Sequence, residues 1–108
     1  MEIFSYDGEN FKVAMAFEGW KIGILRYGDR FSTYNCHERH FETDEAFILL
    51  EGQATLYEED SCYEMEKNKV YNVKKGLWHH IVVKPDTTVL VVENSNTTPE
   101  NSERRYFS

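Results

Sequence analysis

Glu38-Arg39-His40-Phe41-Glu42-Thr43-Asp44-Glu45 runs directly into Ala46-Phe47-Ile48-Leu49-Leu50 and stops at Glu51-Gly52. The apolar run, bounded by a turn signal, has the pattern of a strand that is apolar on both faces. Ahead of it, imidazole and carboxylate groups crowd the strand's mouth. Polar groups in such a place are hydrogen-bonded, exposed to water or holding a ligand, because leaving them unpaired in an apolar interior is costly. If residues 36–40 are extended, Glu38 and His40 point to one face and His37 and Arg39 to the other. A second imidazole source is Trp78-His79-His80-Ile81-Val82-Val83. There His79 shares a face with Ile81 and Val83, and His80 with Trp78 and Val82, so only one of the two enters a given core.

Outward from this stretch, strand signals recur with turns between them. Trp20 to Tyr27 reads as a strand closed by Gly28-Asp29, and Arg30 to His40 as a strand leading into the site. Gly52 gives a tight turn into a return strand at 53–58, which predicts a hairpin with 46–50. Cys62 to Glu66 alternates, Asn68 suits a left-handed turn position, and Val70 to Val73 is a short strand. Trp78 to Val83 and Thr88 to Glu93 are strands joined by Lys84-Pro85-Asp86-Thr87. Residues 1–19 read as leading strands, a short hairpin or an edge strand around Asp7-Gly8-Glu9-Asn10. Residues 94–108 form a loosely held C-terminal tail in which Thr98-Pro99-Glu100 signals a short helix. Eight or more strands with no helix before residue 97 predict an all-β antiparallel sandwich or barrel.

The 108 residues make one domain, 1–108, and sixteen aromatic residues favour a packed core although 29% of the chain is charged. A net charge of −7 argues against a nucleic-acid partner, since such binders depend on clustered Lys and Arg. Lys67/Lys69 and Lys74/Lys75 flank turns and read as solvated hairpin ends. No signal-peptide pattern opens the sequence and no apolar run is long enough to span a bilayer, so the expectation is a cytoplasmic protein with no membrane partner and with Cys36 and Cys62 as free thiols.

Convergence of Glu38, His40, Glu45 and His79 would make a mixed N/O set suited to a divalent metal ion such as Zn, Fe, Mn or Ni. His40, Glu45 and His79 alone are two imidazoles and one carboxylate, a set that leaves coordination positions open. The ordinary alternative is histidines hydrogen-bonded at a strand mouth and carboxylates on a solvated loop.

The stretch from His40 to Glu45, the six residues before Gly52, and Gly76-Leu77-Trp78-His79 downstream together resemble the two motifs of the cupin superfamily, particularly its small bacterial single-domain members. The resemblance covers roughly residues 20 to 93. It implies a cupin-type antiparallel β-barrel, the double-stranded β-helix or jelly roll, with a metal held inside its mouth. The motif's second His, Glu and Gly fall on His40, Glu45 and Gly52, and the second motif's His falls on His79. Glu38 stands where the first His belongs, Lys74 replaces a common Pro, and Val83 replaces a later Asn. Glu38 is then a fourth metal ligand or a catalytic proton-transfer group. The function implied is a barrel that binds or acts on a small organic molecule through the metal, by isomerase, lyase or dioxygenase chemistry. The alternative is a non-catalytic ligand-binding or structural dimer with a degenerate site, and a homodimer is expected by family analogy.

Overall fold

The strand at the centre of the sequence forms as Glu45–Glu51, with Glu45, Phe47 and Leu49 buried and the alternate residues facing outward. The computed structural model describes residues 1–107 and contains ten strands. In chain order these are β1 (Phe11–Phe17), β2 (Trp20–Arg26), β3 (Cys36–His40), β4 (Glu45–Glu51), β5 (Ala54–Glu58), β6 (Ser61–Glu64), β7 (Tyr71–Val73), β8 (His79–Val83), β9 (Thr88–Asn94) and β10 (Ser102–Tyr106). They build two five-stranded antiparallel sheets, in the orders β1-β2-β9-β4-β7 and β10-β3-β8-β5-β6.

The inward positions of the two sheets meet in one core that includes Leu25, Phe47, Leu56, Ile81, Val83 and Val91. At about 1.5–3 kcal/mol for each fully buried side chain of this kind, the core outweighs the cost of a small polar cluster at one end. Among the described residues no helix is long and apolar enough to cross a membrane. Cys36 is buried, Cys62 is exposed, and the two are not bonded to each other.

Three expectations are corrected. The Gly52 turn does not close a hairpin: β4 pairs with β7 and β9, whereas β5 pairs with β6 and β8, so the chain crosses between sheets there. Gly52 has φ +92°, and a Cβ on it would lie 2.5 Å from Thr87 Cα, so the crossing admits no side chain. Arg30 to His40 is not one strand, because Asp29–Phe31 forms a 3-10 turn that buries Phe31. At the N-terminus the edge-strand reading fits: β1 is the outer strand of its sheet, and Met1, Ile3 and Phe4 lie exposed before it. The C-terminal helix is a single 3-10 turn at Pro99–Asn101, with the Thr98 capping box in place, and the tail then becomes β10 and pairs with β3 from Ser102↔His40 to Tyr106↔Cys36. Ser108, the last residue of that tail, lies outside the described residues.

Candidate metal centre

β3, β4 and β8 bring His40, Glu45 and His79 together at one end of the barrel. His40 ends its strand, while Glu45 and His79 begin theirs, so all three reach the interior where the sheets part. One ligand atom from each residue lies within 4.8 Å of the others. Glu45 Oε1 is 2.9 Å from His79 Nε2 and 3.4 Å from His40 Nε2. The far side of each ring is also held, with His40 Nδ1 2.7 Å from Ser102 Oγ and His79 Nδ1 donating to Leu77 O at 3.1 Å. Bonds of this kind select the tautomer that presents Nε2 to the centre, as in metal-ligating histidines generally. The donor set therefore fits a divalent ion.

Both nitrogens of His79 face acceptors, which calls for a proton on each. Burial opposes that charge, but the hydrogen bond and charge of Glu45 outweigh burial and raise the His79 pKa. Burial likewise pushes the Glu45 carboxyl up, and its bonds from His40 and His79 reverse the direction and hold it far below the usual range. Glu93 lies directly opposite Glu45 in the β4–β9 ladder. Burial, together with the adjacent Glu45 carboxylate, pushes its pKa up to about 8, so Glu93 is the protonated member of the pair at neutral pH. Lys21 Nζ lies 3.7 Å from Glu93 Oε1, while Glu93 Oε2 is buried without a hydrogen-bond partner among the described residues.

Glu38 lines the same cavity, which has a volume of about 550 Å³, and lies directly opposite His79 in the β3–β8 ladder. Its Oε1 is taken by Arg104, with Nη2 at 2.8 Å and Nε at 2.9 Å, and by Arg30 Nη2 at 3.4 Å. It stands outside the group of three.

The remaining histidines are hydrogen-bonded. His37 points outward as its position in the strand predicts, and Tyr34 lies with its hydroxyl 2.5 Å from His37 Nε2. His80 points away from His79 yet is only 3% exposed, because Phe31 and Tyr34 stack on it. Adjacent histidines thus enter two different buried environments, which alternation alone does not foresee. Burial lowers the His80 pKa and raises that of Cys36, whose Sγ is 3.7 Å from His80 Nδ1. That pair is a neutral imidazole and a thiol, not an activated nucleophile.

No family model matches the sequence, and no curated protein matches it either. Solved structures do match in shape. A cupin-2 domain-containing protein from Shewanella frigidimarina superposes with a TM-score of 0.68 at 19% identity, over 82% of this chain and 84% of that one. The fold is a cupin fold. The chain also resembles KdgF from Halomonas sp., with a TM-score of 0.69 at 14% identity over 83% and 81% of the two chains. Pac13, described as a nucleoside dehydratase, gives 0.74 at 6% identity over 100% and 94%. A Streptomyces Pac13 variant with uridine superposes equally well, at 0.74. At these identities the likeness concerns the fold.

Glu93, Lys21, Arg30, Ser102 and Arg104 all line this cavity, and none was singled out from the sequence. Glu93 had a usable signal, since it shares its strand face with Val89 and Val91. The charged run at 102–106 has no apolar alternation to mark it as a strand.

Proposed function

We propose that His40, Glu45 and His79 hold a divalent metal ion, Zn, Fe, Mn or Ni, and that the adjoining cavity takes a small organic molecule on which the protein acts as a metal-dependent enzyme. The observation that carries this reading is the convergence of three ligand atoms within 4.8 Å at a buried cavity end, with both imidazoles oriented from behind. A bound ion of this kind supplies a Lewis acid with open positions. The chain's own groups surround that point: Glu93 carries a proton beside Glu45, Lys21 stands behind it, and Glu38 forms a charged wall with its two arginines. In this reading Glu38 is not a fourth ligand. Metal analysis of protein purified without chelator tests the assignment. Stoichiometric metal in the wild type and in Glu38→Gln, lost in His40→Ala, is the expected result; a folded wild type that binds no added ion overturns it.

The same reading includes a cytoplasmic homodimer. On the outer face of the first sheet, Phe17, Trp20, Ile22, Ile24, Ile48 and Leu90 lie side by side across four strands. Phe17 and Trp20 are 58% and 42% exposed. The four seven-residue strands, about 4.8 Å apart and about 23 Å long, give this face a footprint of roughly 450 Å². That is over half of the ~800 Å² per partner of a standard interface. For a chain of charge −7, a face whose charged strand residues are Lys12, Arg26 and, at its rim, Glu51 is one on which a second copy is not repelled. Light scattering is expected to give a dimer for the wild type and a folded monomer for Ile24→Lys. A monomeric wild type at micromolar concentration contradicts the dimer.

A further inference from the structure

Among the described residues every polar contact of the Glu38 side chain is with arginine, and all of them fall on one oxygen. Two guanidiniums thus face a single carboxylate, which leaves one positive charge uncompensated on the cavity wall. The arginine heads are placed independently of Glu38. The Arg30 guanidinium lies 4.8 Å from the centre of the Phe31 ring and 6.0 Å from that of Phe11. Arg104 Nη1 donates to the Tyr106 hydroxyl at 3.3 Å. The side chains of Arg30 and Arg104 are 42% and 41% exposed, against 16% for Glu38, so the cations stand open to an incoming group while the acid sits behind them.

We propose that Arg30 and Arg104 form a carboxylate-binding site beside the metal centre, and that Glu38 occupies it in the ligand-free protein as an internal stand-in for the carboxylate of a small hydroxy or oxo acid. The arginine site stands on geometry alone, and only the second, metal-directed oxygen of the ligand rests on the metal reading above. A planar guanidinium with several fixed N–H donors recognises a carboxylate in pairs of parallel bonds. Residues directly opposite in an antiparallel pair have Cα atoms about 4.5–5.5 Å apart. Because Glu38 faces His79 in this way, the arginine site adjoins the metal centre on one cavity wall, and in this proposal the second oxygen of a short acid reaches that centre. The charges agree: the arginines with Glu38 sum to +1, and a divalent ion with Glu45 and two neutral imidazoles sums to +1. An organic acid entering this wall lowers both. The cavity's volume of about 550 Å³ lies within the usual range of small-molecule sites.

Calorimetric titration of the full chain with lactate and with lactamide, each with and without zinc, tests the proposal. Lactamide keeps the hydroxyl and the size and lacks the charge. Lactate is expected to bind at least about tenfold more tightly than lactamide, and Arg30→Gln and Arg104→Gln are each expected to weaken lactate by about tenfold or more. Glu38→Gln, which keeps the shape and removes the competitor, is expected to tighten lactate. A purely structural Arg30–Glu38–Arg104 cluster predicts the opposite sign, so this variant decides the matter even if Arg104→Gln fails to fold. Equal binding of lactate and lactamide, weaker lactate binding by Glu38→Gln, or inorganic phosphate outcompeting lactate on the metal-free protein each overturns the assignment. Zinc stoichiometry on the same samples separates the two readings. Arginine-dependent lactate binding without zinc uptake defeats only the metal site, and stoichiometric zinc with arginine-independent lactate binding defeats only this one.

Discussion

Replacing His79 with alanine is expected to lower metal affinity by more than about a hundredfold and to destabilise the metal-free protein by about 3–5 kcal/mol. The first effect follows from removing one of three ligand atoms. The second follows from burial, since Glu45 is 8% exposed and its shortest bond, 2.9 Å, is to His79. Removing that partner leaves a buried carboxylate to take up a proton or remain unpaired. His40→Ala should match the loss of metal with a smaller loss of stability, because His40 lies 3.4 Å from Glu45 and is less buried than His79. His80→Gln is the control, since His80 is buried as deeply and faces Thr33 and Cys36 instead. Equilibrium dialysis and urea unfolding measure the two effects; metal affinity unchanged in His79→Ala removes His79 from the site.

The metal-free protein is expected to lose stability between pH 6.5 and 8.5, while the increment added by zinc grows over the same interval. His79 has a raised folded pKa, so its contribution is present below the unfolded value of about 6.5 and is lost as pH rises through the folded one. Glu93, pushed up to about 8, acts with the same sign: the folded state holds its proton where the unfolded chain has already released it, and stability falls up to that pH. Groups with the opposite sign have finished titrating. The lowered Glu45 contributes fully above the ordinary carboxylate range, and the lowered His37 and His80 do so above about pH 6.5. Zinc binding must displace the His79 proton, so its affinity rises with pH, by up to about 1.4 kcal/mol per pH unit for one proton. Urea midpoints with and without zinc check both trends. A zinc increment that stays flat or shrinks with pH contradicts the assignment of His79 as a ligand.

Much of this was readable in the residues because alternation carries face information. Glu38 and His40 point inward with His37 and Arg39 outward, and Asn68 does take the left-handed conformation, at φ 68°. Sheet membership was less legible. Gly52 marks a turn correctly, but a glycine turn does not say whether the chain returns in the same sheet or crosses to the other, and the contact with Thr87 that makes it cross is 35 residues away in the chain. The same limit hid the role of Glu38. Its strand face was readable, whereas its partners, Arg30 in a 3-10 turn and Arg104 in a charged edge strand, are brought to it only by tertiary structure. Apolar residues on both faces of β4 and β9 suggested strands buried on both sides, and within one chain only the inner face is covered. The proposed dimer would cover the outer one.

X-ray absorption at the metal edge of the zinc-loaded protein tests the metal site most directly. Two imidazoles and one carboxylate in the coordination shell, with one imidazole lost in His79→Ala, are predicted. A shell without imidazole scattering, or one that His79→Ala leaves unchanged, would contradict the assignment of His40, Glu45 and His79.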